Sequence, residues 1–352
     1  MHVINSLETG GAQTLVEALC LVAESNHDVH VVVLLGRDTL SARVEAAAAS
    51  VTYLNLRKDP ISAGVGVVRL RRILRQLRPD VIHSHLLQAD LIASLAKGRT
   101  ALVSTVHTSG GHESGLGSAL VTRVMRLVAH RYSALVACSP SAGRFAKTRL
   151  NRAPDATILN GTRLPEFDMP YVPEESSVVL SLARWHPMKD HANLFAAVSH
   201  MGASGPRLVC AGAGMSADNP EVVALTAQFP GIDIELRGPV EDVASLIQGA
   251  RALVVASSHG EALPMAGIES LAHGVPVVTT DVGDCSLLAI DEAQLVPPRD
   301  PIALASALTE IFSEQAHAQL ELRARARRRA EDLFDVTSAA RTYYAIYEGI
   351  AR

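Results

Sequence analysis

Short apolar runs rich in β-branched residues alternate along the chain with longer stretches in which apolar residues recur at helical spacing. In the first half, six such runs predict strands at 2–7, 29–35, 51–56, 80–85, 102–108 and 133–139. In the second half, five more predict strands at 178–184, 206–212, 232–238, 250–257 and 275–281. Nearly continuous apolar strands that alternate with helices are typical of parallel sheets covered by helices on both faces.

A segment without clear periodicity separates the two series of strands. It reads NGTRLPEFDMPYVPEES (160–176), contains three prolines and is predicted to be a linker. We therefore predict an α/β protein with two doubly wound, Rossmann-like domains, 1–165 and 166–335, that face a central cleft. Nucleotides bind at the carboxyl ends of the strands in such folds, so the cleft is the expected site.

Charge and composition exclude several functional classes. A net charge of -4 and an aromatic content of 4% argue against nucleic acid as the main partner, since neither a basic surface nor a stacking platform is expected. No signal-peptide pattern and no uncharged apolar span of about 18 residues occurs, which indicates a cytoplasmic protein that contacts a membrane at most peripherally. The cysteines are widely spaced and are expected to be buried, reduced thiols: Cys20, Cys138, Cys210 and Cys285.

Two glutamates stand in the otherwise apolar segment HGEALPMAGIESLAHGVPVVTTDVG (259–283), with seven residues between them. Buried carboxylates need partners, so their presence in such a segment calls for a chemical reason. A helix is predicted to start near Pro264, a residue that is favoured at the first helical position. Glu261 then precedes the helix, and Glu269 lies about a turn and a half inside it.

The start of this predicted helix can bind an anion. The backbone N–H groups of Leu263, Met265 and Ala266 have no partner within the helix, whereas Pro264 has no N–H to offer. A nearby carboxylate suits a vicinal diol such as a ribose. The segment is therefore predicted to hold phosphate, ribose and sugar hydroxyls, although Glu269 alone could equally be an acid on a helix surface.

Two cations and two glycines are predicted to reach the same crevice. In LSLARWHPMKDH (180–191), Arg184 follows a strand and Lys189 comes five residues later, an arrangement that suits a diphosphate and its departure without a metal. Gly10 and Gly11 follow the first strand and let the backbone approach a phosphate or sugar closely. A plain strand-to-helix turn would explain these glycines as well.

Histidines end two predicted strands in the first half. We place His107 at the cleft, where a neutral imidazole can hydrogen-bond a sugar hydroxyl, while a structural role is the alternative for each histidine. His83 and His85 point to one side of their strand, but nothing in the sequence places His107 beside them. With no DxD and no GxxxxGK[ST] sequence present, we predict neither a metal site nor a P-loop kinase.

Arginines cluster in two predicted helices. The run RARARRR (323–329) is predicted to be a solvated face. In 67–78, four apolar residues are predicted to pack on the sheet while the arginines face solvent, and contact with anionic lipid or an acidic acceptor is the alternative.

These motifs together resemble the GT-B fold retaining glycosyltransferases of family 4, over nearly the whole chain. INSLETGGAQTLV (4–16) is similar to the glycine loop of that family, ARWHPMKD (183–190) to its arginine–lysine pair, and EALPMAGIE (261–269) to its E-x7-E signature, the most specific of these motifs. LRG (236–238) resembles the loop that meets the nucleobase, and LNGT (159–162) the hinge. The last helix, 336–352, would cross back onto the first domain.

The resemblance implies a role for each matching residue. His107 would contact the donor sugar, Glu261 would contact it too, and Glu269 would bind the ribose. The remaining donor-binding residues implied are Gly10, Gly11, Arg184, Lys189, Arg237, Leu263, Pro264, Met265 and Ala266. Among these, Arg184 and Lys189 would also assist catalysis by stabilising the leaving diphosphate.

The reaction implied is transfer of a sugar from a nucleoside-diphosphate sugar to an acceptor hydroxyl with retention at the anomeric carbon. UDP is the expected nucleotide because it is the commonest in the family, and no cofactor or divalent metal is expected. The acceptor would be a glycan, a lipid-linked molecule or a small molecule, bound by the first domain near 85–90 and 107–117. A GT-B nucleotide-sugar epimerase and a non-catalytic, two-lobed sugar-binding protein are the alternatives.

Overall fold

The chain folds into two compact units of similar size. In the computed structural model, every residue is described except 9, 24–26, 58, 109–115, 167–176, 203–204 and 352 and the side chains of 60 and 116–121. The first unit combines Met1–Arg163 with Val336–Arg352, and the second is Leu164–Asp335. Most of the predicted linker and most of the 107–117 loop lie outside the described residues.

The first unit is built on a seven-stranded, all-parallel sheet with the strand order β3-β2-β1-β4-β5-β6-β7. Its strands are β1 His2–Ile4, β2 His30–Val33, β3 Ser50–Tyr53, β4 Val81–His85, β5 Ala101–Val106, β6 Ala134–Ala137 and β7 Ala156–Thr157. The helices along this part of the chain are α1 Gly11–Leu21, α2 Ser41–Ala47, α3 Pro60–Leu77, α4 Leu87–Ala96, α5 Leu116–Ala129 and α6 Pro140–Arg149. Two apolar clusters form the core around this sheet. One includes Val31 and Val44, and the other includes Val103 and Val136.

The second unit contains a six-stranded parallel sheet with the order β10-β9-β8-β11-β12-β13. Its strands are β8 Val178–Leu182, β9 Arg207–Ala211, β10 Ile234–Gly238, β11 Ala252–Val255, β12 Val277–Thr280 and β13 Leu295–Val296. Its helices are α7 His191–His200, α8 Pro220–Thr226, α9 Val243–Gln248, α10 Met265–Ala272, α11 Pro301–Ser313 and α12 Ala316–Leu333. The core of this unit includes Phe195, Val254 and Leu308.

The predicted parallel α/β architecture is confirmed. Each predicted apolar run coincides with one strand, and each strand is shorter than its run. The two-residue edge strands β7 and β13 were not predicted, because two residues are too few to set up a pattern.

The last helix, α13 (Val336–Ala351), belongs to the first unit. The Val336 N–H donates to the Thr162 carbonyl over 3.1 Å where the chain re-enters that unit. Tyr343 is fully buried, and the Tyr344 hydroxyl donates to the Leu19 carbonyl over 3.0 Å. Apolar and tyrosine contacts on one face thus hold α13 against the first sheet and α1.

The predicted solvated arginine face in α12 is wrong for two of its arginines, which lie inward one helical turn apart. Arg323 and Arg327 are buried, and their guanidinium groups donate to the carbonyls of Ala250 (3.2 Å) and Ala272 (2.6 Å). Ala272 is the last residue of α10, so its carbonyl has no intrahelical partner. These arginines supply the missing donors, which a charge count along the sequence does not reveal.

The structure also bears on the predictions for α3, for the cysteines and for membrane-spanning helices. In α3, the prediction holds for Leu70 and Leu74, which are buried, and for Arg71, Arg72 and Arg75, which are exposed. It is wrong for Leu77, which is 38% exposed in the last turn of the helix, and Val67 is only half-buried. All four cysteines are buried, as predicted. Among the described residues, no helix combines the length and the apolar character needed to cross a membrane.

Candidate functional site

The order of strands in the second sheet identifies where a ligand site should form. The chain leaves β8 toward β9 and β10 on one side, then returns to place β11, β12 and β13 on the other. Beyond the carboxyl ends of β8 and β11 lies the point where the direction of winding reverses. Ligands of open parallel sheets bind at such switch points, because the loops on either side diverge and leave a crevice.

The loops that follow β8 and β11 bring Lys189 and Glu261 together. The Lys189 Nζ donates to the Glu261 Oε1 over 2.5 Å, although the residues are 72 positions apart. The Ser257 hydroxyl donates to the same oxygen over 2.5 Å. Glu261 is buried, with a side chain only 8% exposed, so the ammonium group and the hydroxyl stabilise a carboxylate that would otherwise lack solvation.

Hydrogen bonds to backbone carbonyls hold the loops after β8 and β11 in place. The Ser258 N–H donates to the Met188 carbonyl over 2.8 Å and links the loop after β11 to the short 3-10 helix Pro187–Lys189. The Thr280 hydroxyl donates to the Ser257 carbonyl over 2.6 Å. The Lys189–Glu261 pair is therefore held by a framework of hydrogen bonds from both neighbouring strand ends.

The loop that carries Glu261 also rests closely on the segment after β12. Gly283 has φ +64°, and a Cβ built on it would lie 2.0 Å from the Glu261 carbonyl oxygen. The Asp284 N–H donates to the Ala262 carbonyl over 3.0 Å. Only a glycine with positive φ allows this close approach of one backbone to the other.

The start of α10 differs slightly from the prediction. Pro264 is the residue before the helix rather than its first residue, because its ψ of 123° is extended and its carbonyl accepts from the Gly267 N–H over 3.1 Å. The N–H groups of Met265 and Ala266 belong to the first turn, where no intrahelical acceptor exists. Leu263 is buried just before them, and Glu269 is half-buried inside the helix.

Arg184 lies in the loop after β8, on the same strand end as Lys189. Its side chain is exposed and has no ion-pair partner among the described residues. The ring of His191 donates from Nε2 to the Arg184 carbonyl over 3.2 Å, so the backbone here is anchored while the guanidinium group is available to a ligand. Burial is the main cause that lowers the pKa of His191, which keeps this ring neutral.

Arg237 lies farther along the sheet than the Lys189–Glu261 pair. It belongs to β10, the edge strand, and its guanidinium group bonds to the Glu235 carboxylate. The Gly212 N–H donates to the Gly238 carbonyl over 2.7 Å, which connects this strand end to the loop after β9. The structure therefore groups Lys189, Glu261 and the start of α10, with Arg237 two strands away from β8.

A second group of predicted residues lies in the first unit, at the switch point between β1 and β4. Gly10 is the residue before α1 and Gly11 is its first residue. His107 follows β5, and its Nε2 lies 3.2 Å from the Nδ1 of His85. Nothing in the sequence placed His107 beside the other histidines, but parallel pairing of β4 and β5 brings the two strand ends side by side.

Buried histidines near this point could in principle hold a metal. One ring nitrogen from each of His2, His83 and His85 lies within 4.8 Å of the others. However, His83 hydrogen-bonds Tyr347 through Nδ1 (2.6 Å) and Thr105 through Nε2 (2.7 Å), so a metal would have to displace one of these partners. These contacts indicate that the buried histidines form a hydrogen-bond network rather than a metal centre.

Comparisons with known proteins match both units of this structure. Residues 9–164 match Glycosyltransferase Family 4, and residues 176–314 match Glycosyl transferases group 1. The chain belongs to the family 4/group 1 glycosyltransferases. Its two parallel α/β domains have the GT-B fold of that family.

Two curated proteins are similar in sequence to this glycosyltransferase. It is 26% identical over 259 residues to an exopolysaccharide phosphotransferase of Streptomyces coelicolor, which covers 71% of this chain but only 26% of that protein. The chain thus spans about a quarter of that relative's length. It is 27% identical over 303 residues to a glycogen synthase of Mycobacterium tuberculosis, which covers 78% of this chain and 71% of that protein.

Solved structures agree with the GT-B fold. A glycosyltransferase from Rickettsia africae superimposes with a TM-score of 0.82 at 18% identity, covering 100% of this chain and 98% of that one. Anabaena HepE in complex with UDP-glucose gives a TM-score of 0.79 at 17% identity, covering 99% and 100% of the two chains.

Sequence reasoning missed Ser257 and His2, and it did not predict the contact between His85 and His107. Ser257 bonds directly to Glu261, while His2 and His85 connect to His107. A serine at the end of β11 and an HxH pattern at the end of β4 were visible signals. Their partners became clear only when strand order placed the two ends next to each other.

Proposed function

We propose that this glycosyltransferase transfers a sugar from a nucleoside-diphosphate sugar, with UDP as the nucleotide, to a hydroxyl of a glycan, a lipid-linked molecule or a small molecule. The observation that carries the proposal is the contact between Lys189 and Glu261 at the switch point of the second sheet. It puts a cation suited to a diphosphate beside a carboxylate suited to sugar hydroxyls. Binding of UDP-glucose by the structurally similar Anabaena protein supports the choice of nucleotide.

The diphosphate would be bound by three kinds of donor on the second unit. Arg184 and Lys189 supply positive charge from the loop after β8. The N–H groups of Met265 and Ala266 supply the positive end of the α10 dipole. Each charge-assisted hydrogen bond contributes roughly 1.5–3 kcal/mol, and all become stronger as negative charge grows on the leaving phosphate.

The carboxylates would hold the carbohydrate portions on either side of the diphosphate. Glu261 would accept from hydroxyls of the transferred sugar, and Glu269 would accept from the ribose. In the structure, Lys189 forms an ion pair with Glu261. Donor binding would therefore redirect the ammonium group toward phosphate, while Ser257 continues to orient the carboxylate.

The reaction we propose keeps the configuration of the anomeric carbon. The acceptor oxygen bonds to that carbon on the face from which the β-phosphate oxygen departs, and the acceptor proton moves to the departing phosphate oxygen. The bond between the anomeric carbon and phosphate breaks, and the nucleoside diphosphate leaves. Arg184 and Lys189 would supply the charge that a metal supplies elsewhere, and His107 would hydrogen-bond the donor sugar.

The first test replaces Lys189 with alanine. Lys189→Ala should lower kcat/KM for transfer by about 10²-fold or more, because it removes a cation from the leaving group. Purified protein would be incubated with a panel of sugar nucleotides and acceptors, and products would be quantified by mass spectrometry. NMR of the product would give the anomeric configuration.

The matched control is Lys147→Ala, which removes an exposed lysine of α6 in the other unit. It should leave transfer unchanged. Near-normal transfer by Lys189→Ala would contradict the assignment of the site, and an inverted product would contradict the mechanism. Tight binding of free sugars without any transfer would favour the sugar-binding alternative.

A further inference from the structure

Three imidazoles form a continuous hydrogen-bonded chain in the first unit. The Nδ1 of His2 lies 3.1 Å from the Nε2 of His85, and the Nδ1 of His85 lies 3.2 Å from the Nε2 of His107. These residues come from β1, from β4 and from the residue after β5, three neighbouring strands of the sheet. We call them the histidine chain.

All members of the histidine chain are neutral at physiological pH. Burial lowers the pKa of His2 to about 3 and that of His107 to about 4, and it lowers the pKa of His85 well below the usual range. A neutral imidazole has one N–H donor and one acceptor nitrogen. Each contact in the chain must therefore join the donor of one ring to the acceptor of the next.

This requirement couples the three tautomers. If His85 carries its proton on Nε2, it donates to Nδ1 of His2 and must accept at its own Nδ1 from Nε2–H of His107. If His85 carries its proton on Nδ1, both contacts reverse. In either case all three rings are protonated at the same ring position, so the tautomer of His107 is set by the other two.

One ring nitrogen at the end of the chain is left for a ligand. The Nδ1 of His107 is enclosed and has no hydrogen-bond partner among the described residues. Buried polar atoms almost always have a partner, so this nitrogen needs one that the described residues do not supply. Whether it donates or accepts depends entirely on the tautomer that His85 imposes.

We propose that His85 and His2 are positioning residues, which fix one tautomer of His107 and so determine whether its Nδ1 donates to or accepts from a sugar hydroxyl. The effect on transfer rests on the proposed function, in which His107 contacts the donor sugar. The coupling of tautomers does not rest on it, because it follows from the contacts alone.

His83 provides a matched control. It lies two residues from His85 on the same strand, and their ring centroids are 4.0 Å apart. Both of its nitrogens bond outside the histidine chain, to Tyr347 and Thr105. His83→Gln therefore changes the same buried cluster without breaking the chain.

The first experiment measures the tautomers directly. Long-range 1H–15N NMR of the protein with 15N-labelled histidine, at pH 7.5 and without ligand, gives the protonated nitrogen of each ring, and single variants assign the signals. His2, His85 and His107 should share one tautomer. His85→Phe should leave His107 as a mixture, whereas His83→Gln should not.

The second experiment tests whether His85 acts through His107. His85→Phe should lower kcat/KM about ten-fold, His107→Ala at least as much, and the double variant no further, because both changes remove the same interaction. His85→Asn keeps an amide near the position of Nδ1 and should restore part of the loss. Urea unfolding would establish that each variant retains its fold.

Several results would overturn the proposal. These are different tautomers within the chain, an unchanged His107 signal in His85→Phe, additive losses in the double variant, or one tightly bound metal ion per chain by elemental analysis. The NMR result also separates two failures. Absence of transfer with a uniform tautomer would count against the proposed function alone, and transfer with mixed tautomers would count against this inference alone.

Discussion

At the scale of single residues, the central contact of the site joins opposite charges that both have a use in the proposed reaction. Lys189 Nζ and Glu261 Oε1 lie 2.5 Å apart, and the Ser257 hydroxyl donates to the same carboxylate oxygen. A pair of this kind gives a buried carboxylate the polar partner that it needs and holds the lysine in place. It also means that the ammonium charge is partly cancelled until a phosphate competes for it.

This cancellation gives Glu261→Gln effects of opposite sign on binding and on transfer. Glutamine can still accept from the Ser257 hydroxyl, but it no longer neutralises Lys189. UDP alone should bind about five-fold more tightly, which corresponds to roughly 1 kcal/mol. Sugar transfer should fall by about 10²-fold, because a carboxylate that contacts the sugar is lost.

Isothermal titration calorimetry with UDP and a transfer assay on the same preparation check the two effects. The gain in UDP affinity should shrink at high salt, since it comes from an unmasked charge. Weaker binding of UDP to Glu261→Gln would indicate that the carboxylate orients Lys189 for phosphate rather than competing with it.

At the scale of elements, α12 stabilises the helix that starts at the candidate site. Arg327 is buried, and its Nη1 donates to the Ala272 carbonyl at the end of α10 and to the Pro165 carbonyl (3.0 Å). Its Nε bonds the Glu331 carboxylate over 2.7 Å. One guanidinium group thus fixes the carboxyl end of α10, while the amino end faces the switch point.

Removing this group should destabilise the protein without touching the site. Arg327→Ala should lower the free energy of unfolding by about 2–3 kcal/mol, because a buried carbonyl loses a charged donor. Arg328→Ala, which removes the exposed neighbour, should change it by less than about 0.5 kcal/mol. Urea unfolding followed by circular dichroism compares the two variants, and equal stabilities would contradict the role given to Arg327.

At the scale of the whole molecule, the pattern of the sequence predicted more of the fold than of the site. Apolar runs identified eleven strands, because a parallel sheet buries both faces of each strand. Local spacing also singled out Glu261 and Lys189, but it could not show that they touch. That contact depends on the order of strands, which puts β8 beside β11.

The same dependence on strand order explains the contacts that the sequence did not predict. His107 meets His85 because β4 pairs with β5 in register, and the arginines of α12 meet the ends of other elements rather than solvent. Charge and spacing along one segment carry no information about such neighbours. An isolated polar residue in apolar surroundings, such as Glu261, was an informative signal, because a buried polar group needs a partner.

The buried histidines should make the first unit sensitive to acid. In the folded protein, burial lowers the pKa of His2, His83, His85 and His107, whereas in the unfolded chain each has a pKa near 6.5. Below that pH the unfolded state binds more protons. The contribution of these histidines to the free energy of unfolding is therefore fully present above pH 6.5. It falls as the pH falls below 6.5, by about 1.4 kcal/mol per pH unit for each histidine.

Asp90 opposes this trend and provides the control. Burial raises its pKa to about 7, so its contribution to stability is complete at low pH and is lost as pH rises toward 7. Asp90→Asn keeps an oxygen for the Ser84 and Ser104 hydroxyls but cannot titrate. Between pH 7.5 and 5.5, the variant should lose about 2 kcal/mol more stability than the wild type. Urea unfolding at both pH values measures this difference, and equal losses would contradict the raised pKa.

The tight contact at Gly283 determines how the carboxylate of Glu261 could move. The backbone after β12 lies so close to the Glu261 carbonyl that no side chain fits between them, and the Asp284 N–H bonds the next carbonyl along. Two segments locked in this way cannot slide past each other. If Glu261 adjusts to sugars of different shape, either its side chain must rotate or the 281–285 segment must move with its backbone. The range of donor sugars that the site accepts therefore depends on the stiffness of residues 281–285, even if those residues do not contact the sugar.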